Sequence, residues 1–251
     1  MTKHDSTEKR LFVAAKLAPA ATINLDQTQA NYVRNVLRLP EGAKILAFNG
    51  QDGEWETSVA AKSRKLVTLT VERITRPQPQ PPDLHYLFAP PKHARQGYMI
   101  EKAVEMGASA LRPVITRRTE AKRINSERMR AHAIEAAEQC GILSVPEIAA
   151  PVPLDALLEL WDKNRLLIFC DEAAPPADPC KILHSCHSEE SSRNLAVLIG
   201  PEGGFDPSER RALLGLPCAV RLPLGPRVLR ADTAAVAALA LLQATLGDWR
   251  G

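Results

Sequence analysis

Aromatic residues are scarce, only 4% of the 251 positions, so a broad surface on which bases could stack is not expected. Cysteine is rare as well. Its five residues are an odd number without framework spacing, which excludes a disulfide scaffold and fits free thiols in a reducing cytoplasm. Charge of one sign is not in excess: 32 basic against 29 acidic side chains leaves +3, too little to mark a polyanion binder unless the basic groups cluster. The longest apolar run, "AAVAALALLQATL", is too short and alanine-rich to cross a bilayer, and no membrane partner is expected. The opening "MTKHDSTEKR" has no apolar core of a secretory signal, so a cytoplasmic location is expected.

Several chemical signatures are missing too. There is no G-x-G-x-x-G, no G-x-x-x-x-G-K-[ST] and no G-x-S-x-G, which removes the common dinucleotide, P-loop and nucleophile-elbow readings. His132 and Glu135 do not complete H-E-x-x-H, and His85 and His93 have no partner in sequence. "CKILHSCH" offers Cys180, His184, Cys186 and His187, but the spacing matches no structural zinc pattern, and no metal is expected.

What is present divides the chain. "RPQPQPPD" places Pro77, Pro79, Pro81 and Pro82 within eight residues, a stiff extended linker rather than a helix or central strand. Residues 1–75 ahead of it read as short β-rich runs ("RLFVAA", "AKILAFNG", "GEWETSVAA", "LVTLTVERI") separated by turn signals, with one helix capped by Asp26, a pattern that fits a small β-barrel. Residues 84–251 alternate strand and helix, with strands at "LHYLFAP", "LRPVIT", "RLLIFC", "LAVLIG" and "AVRLPLG". That alternation predicts an α/β domain with a parallel sheet covered on both faces and a ligand site at the carboxyl edge of the strands. Helical spacing puts Ile100, Ala103 and Val104 on one buried face, and Met129, Ala133, Ala136, Ala137 and Cys140 on another. The polar stretch Asp171 to Asn194 reads as a surface excursion.

Two glycine turns carry the chemistry. "LIGPEGGFDPSER" runs from a strand into Gly200, Glu202, Gly203 and Gly204, then into a helix with Asp206 as N-cap, Pro207 at its first position and Glu209 closing a capping box. An acid inside the turn and another on the cap disfavour an anion. The turn suits amines, hydroxyls or a cationic centre, although the same residues would also serve a plain tight turn. "LPLGPRVLRADTAAVAALALLQ" repeats the pattern with Gly225, then Arg227 and Arg230, then an acid-capped helix apolar on nearly every side, hence buried in the core or an interface. Either arginine could equally form a surface salt bridge.

Together, "LIGPEGGF" and "LPLGPRVLRADTA" resemble the paired C-terminal motifs of SPOUT-class RNA methyltransferases, specifically the RsmE family. The likeness extends over nearly the whole chain. "NYVRNVLRLPEGAKILAFNG" is similar to that family's PUA-like barrel, and "IEKAVEMGASALRPVITRRTEA" and "AAEQCG" with "VPEI" are similar to its methyltransferase segments. The resemblance implies a PUA-like β-barrel over 1–75, a linker over 76–83, and a SPOUT domain over 84–251 with a parallel sheet and a C-terminal trefoil knot. It further implies a homodimer, S-adenosylmethionine as cofactor, and methylation of N3 of a uridine in bacterial 16S rRNA within the small ribosomal subunit. A SPOUT enzyme for another RNA position, or a non-catalytic assembly factor, are the alternatives. The motif positions put the cofactor against Leu198, Ile199, Gly200, Glu202, Gly203, Leu222, Leu224, Gly225, Leu229, Arg230 and Thr233. A sulfonium with ribose hydroxyls and an amino group also gives Glu202 a purpose.

Uridine N3 carries a proton between two carbonyls, so the site must stabilise the anion spread over O2 and O4. Arg230 or Arg227 would supply the cation, and Glu202 a route for the proton. RNA would be held by Arg10, Arg34 and Arg38 in the barrel and by Arg117, Arg118, Lys122 and Arg123 after one strand. Three positions depart from the family pattern: Asp232 stands where Glu is usual, and Ile142 and Leu143 replace an arginine and a polar residue.

Overall fold

A computed structural model describes residues 9–61, 66–91, 93–121, 124–186 and 194–250. The chain parts into two compact units, one formed by residues 1–80 with 134–145 and the other by 81–133 with 146–251.

In the first unit, β1 (Arg10–Phe12), β2 (Thr22–Asn24), β3 (Lys44–Phe48), β4 (Glu54–Ala61) and β5 (Val67–Arg76) form one sheet in the order β1-β3-β4-β5-β2. Only β1 and β3 are parallel. The sheet wraps a single apolar core that includes Leu11, Val13, Ile23, Val33, Ile45, Ala47, Val59, Leu69 and Val71. Helix α1 (Gln27–Asn31) starts at Asp26 with the reciprocal capping box that its sequence spells, Asp26 to the Gln29 amide and Gln29 back to the Asp26 amide. It runs on into a π turn, Tyr32–Val36.

A buried ion cluster fastens this unit. The Glu54 carboxylate is 3% exposed and accepts from Arg10 Nε at 3.0 Å and Arg76 Nη2 at 2.6 Å; Thr75 Oγ1 donates to its other oxygen. Burial alone would push the Glu54 carboxyl up, but Arg76, Thr75 and Arg10 outweigh it and hold it below its ordinary value. Arg76 also donates to the Gly141 carbonyl, and the Phe12 amide donates to Glu138 at 2.7 Å, which ties segment 134–145 into the unit. Arg10 is therefore corrected from an RNA contact to an internal strut, because only 5% of it is exposed. Arg34 is half-buried on the π turn, and Arg38 is exposed with φ +54° where the chain leaves it.

The second unit is built on a wholly parallel sheet. Its elements are β6 (Leu84–Phe88), α2 (His93–Glu105), β7 (Ala110–Ile115), α3 (Ser126–Cys140), β8 (Glu147–Ile148), β9 (Val152–Pro153), α4 (Leu154–Glu159), β10 (Leu166–Cys170), α5 (Pro179–Ser185), β11 (Leu195–Ile199), α6 (Pro207–Gly215), β12 (Ala219–Leu222) and α7 (Ala231–Thr245). The final turns of α3 belong to the first unit. The strands run in the order β12-β10-β11-β6-β7-β8, with β9 pairing beside β7.

Because successive strand residues face opposite sides, Leu87, Leu167, Phe169, Ala196 and Leu198 pack with Leu154, Phe205 and Leu213 under α4 and α6. Helices α2, α5 and α7 pack together. Helix α7 buries Ala235, Ala238, Leu239 and Leu242, as its apolar circumference requires. Ile100, Ala103, Val104, Met129, Ala133, Ala136 and Ala137 are all buried, but Cys140 is exposed, so the predicted apolar face of α3 ends one turn early. No helix among the described residues is long and apolar enough to cross a membrane.

The polar excursion is corrected in part. Within it α5 folds on an Asp178 cap with Pro179 at its first position, and its Leu183 is fully buried. Cys180 and His184 lie on this helix, Cys186 is its C-cap and points Sγ at the Ile182 carbonyl, and His187 lies outside the described residues.

At the amino edge of the sheet, Arg165 holds Asp83 through two bonds of 2.8 and 2.7 Å, and His85 Nε2 lies 3.3 Å from the same carboxylate. Burial, then Arg165 and Arg112, push the His85 imidazole down to about 4 against the opposing pull of Asp83. The unfolded chain, with His near 6.5, binds more protons between those values. Stability contributed by neutral His85 is thus complete above about 6.5 and declines as pH falls toward about 4. Thermal melts of His85→Gln across that range should show a flatter pH dependence than the parent. Separately, Glu54→Gln should cost about 3 kcal/mol in denaturant unfolding, since it strips a buried carboxylate from its arginines.

Candidate active site

Strand register lines up the site. Leu222, Cys170, Ile199 and Phe88 are successive partners across β12, β10, β11 and β6, in one row at the carboxyl edge. The loops that leave β10, β11 and β12 close over this row and form a cleft of about 130 Å³. Its floor is Ile199, Leu222, Leu229 and Ala234, and its polar wall is Asp171, Glu172, Glu202 and Arg227.

Each loop has a local cause. After β11, the Gly204 amide donates to the Pro201 carbonyl at 2.9 Å, closing a turn with Glu202 and Gly203 at its tip. Gly204 takes φ +69° and Gly225 φ +91°, left-handed conformations that a side chain would strain. The helix start is as its sequence spells: Asp206 accepts from the Ser208 amide, and Glu209 accepts from the Asp206 amide at 2.9 Å. The other oxygen of Glu209 accepts from the Arg117 amide at 2.7 Å, and Arg118 Nη1 donates to the Gly203 carbonyl at 2.6 Å. The loop after β7 is thereby pinned to the glycine turn.

Asp171 joins the remaining parts. Its side chain is 1% exposed, and it receives Arg210 of α6 at 2.8 Å and Arg221 of β12 at 2.7 Å, with the Ala173 amide at 3.1 Å. Burial would raise its carboxyl, but Arg210, the Ala173 amide and Arg221 hold it low. One carboxylate thus links the ends of β10, β12 and the helix that follows the glycine turn. Beside it, burial and the Asp171 charge push the Cys170 thiol up to about 12, so this sulfur stays protonated and is no nucleophile at neutral pH.

The structure gathers some of the expected residues and not others. Ile199, Gly200, Glu202, Leu222, Leu224, Gly225, Arg227 and Leu229 line the cleft. Leu198 does not: it is one residue out of phase with Ile199 and is buried in the core under α6. Gly203, Arg230 and Thr233 are also outside the lining. Arg230 is exposed and is the N-cap of α7, so that helix is not acid-capped as expected; Asp232 lies in its first turn. Asp232 is directed toward Arg95 of α2 at 3.8 Å, and its other oxygen accepts from the Thr233 amide. Leu143 is buried and its carbonyl accepts from Gln78, while Ile142 is half-buried. Arg117 and Arg118 are exposed; Lys122 and Arg123 lie outside the described residues.

Sequence reasoning missed Asp171 and Glu172, although an acid pair directly after a strand, "IFCDE", stands where an α/β site gathers its polar groups. Asp171→Asn should lower unfolding stability by about 3 kcal/mol in chemical denaturation, because it leaves two partly buried guanidinium groups without their carboxylate.

A family model described as an RNA methyltransferase domain matches residues 78–243, and one described as an RNA methyltransferase PUA domain matches 25–72. The chain is similar to the ribosomal RNA small subunit methyltransferase E of Rickettsia conorii, 28% identical over 233 residues, covering 92% of this chain and 93% of that one. Among solved structures, it is similar to a Legionella pneumophila methyltransferase in complex with the cofactor SAM, with TM-score 0.78, 29% identity, and 94% and 97% of the two chains covered. It also shares the fold of ribosomal RNA small subunit methyltransferase E from Neisseria gonorrhoeae, with TM-score 0.83, 21% identity, and 96% and 99% coverage. The chain belongs to the RNA methyltransferase family, with a PUA domain ahead of the methyltransferase domain.

Proposed function

We propose that this protein is an S-adenosylmethionine-dependent methyltransferase that modifies N3 of one uridine in 16S rRNA of the small ribosomal subunit. It would act in the cytoplasm as a homodimer, with residues 1–75 gripping RNA, 76–83 as linker and 84–251 catalysing transfer. The reading includes a trefoil knot in the second unit, supported by the non-sequential strand order β12-β10-β11-β6 and the glycine turns at its carboxyl edge. The observation that carries the function is the cleft itself: a turn with Glu202 at its tip faces an apolar floor and a second acid, Glu172, with Arg227 at hand.

These residues fit the cofactor. Ile199, Leu222, Leu229 and Ala234 offer an apolar bed for an adenine, while Glu172 and Glu202 suit hydroxyls, an amino group or a sulfonium. When bound, the cofactor supplies an electrophilic methyl group. The rest is done by the chain. The target base must leave its stack to reach the cleft. Arg227, which lines the cleft, and Arg230, at the start of α7, supply fixed positive charge to the O2–N3–O4 anion as the proton departs to solvent or to Glu202. Cys170, held as a thiol, takes no part as a nucleophile. Arg34, Arg38, Arg117 and Arg118, with Lys122 and Arg123, provide the phosphate contacts.

Arg230→Ala and Arg227→Ala should each lower single-turnover methylation of small-subunit rRNA about a hundredfold or more while calorimetry still records cofactor binding. Unchanged turnover in both would contradict the catalytic assignment. A wild-type chain that binds RNA but no S-adenosylmethionine would be an assembly factor instead.

A further inference from the structure

A second cavity, of about 390 Å³, opens at the same carboxyl edge on the α4/α6 face of the sheet. Its apolar lining comes from Ile115, Leu154 and Leu158, and its rim from Arg117, Asp155 and Ser208. The volume lies in the range of small-ligand pockets. Of its lining, methyl transfer as proposed above uses Arg117 alone, as a phosphate contact.

Three features give this cavity a chemistry. Arg117 is exposed and its guanidinium makes no hydrogen bond among the described residues, while its backbone amide is anchored by Glu209 at 2.7 Å. The cation is therefore presented from a fixed point on the rim. Asp155 is exposed, and among the described residues its carboxylate accepts only its neighbour's amide, through Oδ1, which leaves Oδ2 as an acceptor. The cavity is also continuous with the cofactor cleft through one piece of chain. Gly200, Pro201, Glu202, Gly204 and Phe205 line the cleft, Ser208 and Glu209 line the cavity, and Arg118 bonds the turn between them at Gly203.

We infer that this cavity receives one unpaired nucleotide of the RNA substrate, beside the nucleotide that is methylated. The inference rests on the methyltransferase reading above. The base would insert against Leu154, Leu158 and Ile115, present its N–H edge to Asp155, and place its phosphate on Arg117. Flipped bases are held between aromatic or apolar side chains, with hydrogen bonds to their polar edge, and this lining offers the apolar form of that arrangement. The acid-capped start of α6 cannot serve as the phosphate site, which leaves that role to Arg117. A docked protein segment is the competing occupant, and the charge pattern favours RNA because the exposed donor on the rim is a guanidinium, which shares the field of Asp206 with a second exposed arginine, Arg118.

The test fills the cavity from its exposed side. Ala212 lines it from α6 and is itself exposed, so Ala212→Trp can occupy the space without disturbing the core; Ala212→Ser is the control, and Arg117→Ala probes the rim. For Ala212→Trp and Arg117→Ala, KM for unmodified small-subunit rRNA should rise on the order of tenfold, with S-adenosylmethionine Kd and the melting temperature unchanged. Photo-crosslinking of 4-thiouridine-substituted rRNA should map to the peptides that carry Leu154–Leu158 and Ser208–Ala212, and the crosslink should vanish in Ala212→Trp. An unaltered KM in both variants with no crosslink there, or crosslinking of these peptides to a ribosomal protein instead, would overturn the inference. If the wild-type chain proves inactive, the methyltransferase reading fails separately, and filter binding of the same RNA to parent and Ala212→Trp decides whether the cavity takes a nucleotide.

Discussion

The second unit depends on one carboxylate. Asp171 sits just beyond the end of β10 and is almost wholly excluded from solvent, yet it is charged, because Arg210 and Arg221 reach it from two other elements. An ion in that position is costly to bury and costly to strip of its partners, so its presence dictates geometry. The end of β12 and the start of α6 must lie where their guanidinium groups can meet it. The glycine turn between β11 and α6, and the turn after β12, are then held on either side of the same row of strand ends. The cleft follows from that constraint, as does the arrangement of Glu172, Glu202 and Arg227 around it.

The first unit solves the same problem with Glu54, which draws Arg10 and Arg76 into an apolar sheet and anchors segment 134–145 through the Gly141 carbonyl. In both units an acid that sequence patterning would place on the surface organises the interior. The consequence for function is economy of charge. With a net charge of only +3, each arginine spent inside is one withdrawn from RNA, and Arg10 is the clearest case.

Much of this was legible in the residues. Alternating strand and helix patterns gave the parallel sheet, Asp26 and Asp206 gave their helix starts, and the glycine turns pointed to the carboxyl edge, since each rests on local chemistry that tertiary structure leaves in place. What was hidden is what depends on phase and distance. Leu198 and Ile199 are neighbours in sequence and equally apolar, but alternate sides of a strand put one in the core and the other in the cleft. Arg10 and Arg34 look alike as sequence, and only the fold brings Glu54 to the first of them. Asp171 has the sequence of a polar surface stretch because its arginines lie 39 and 50 residues away. The assignment of uridine N3 came from resemblance alone, as no spacing of residues encodes which ring nitrogen is presented.

Methyl transfer to that nitrogen is tested most directly by mass-spectrometric mapping of 16S rRNA from cells with and without this chain. A single 3-methyluridine present in the parent, absent from the deletion and restored by the wild-type chain is the result the account predicts. An identical modification profile in parent and deletion strains, or loss of a methyl group from a different atom, would contradict it.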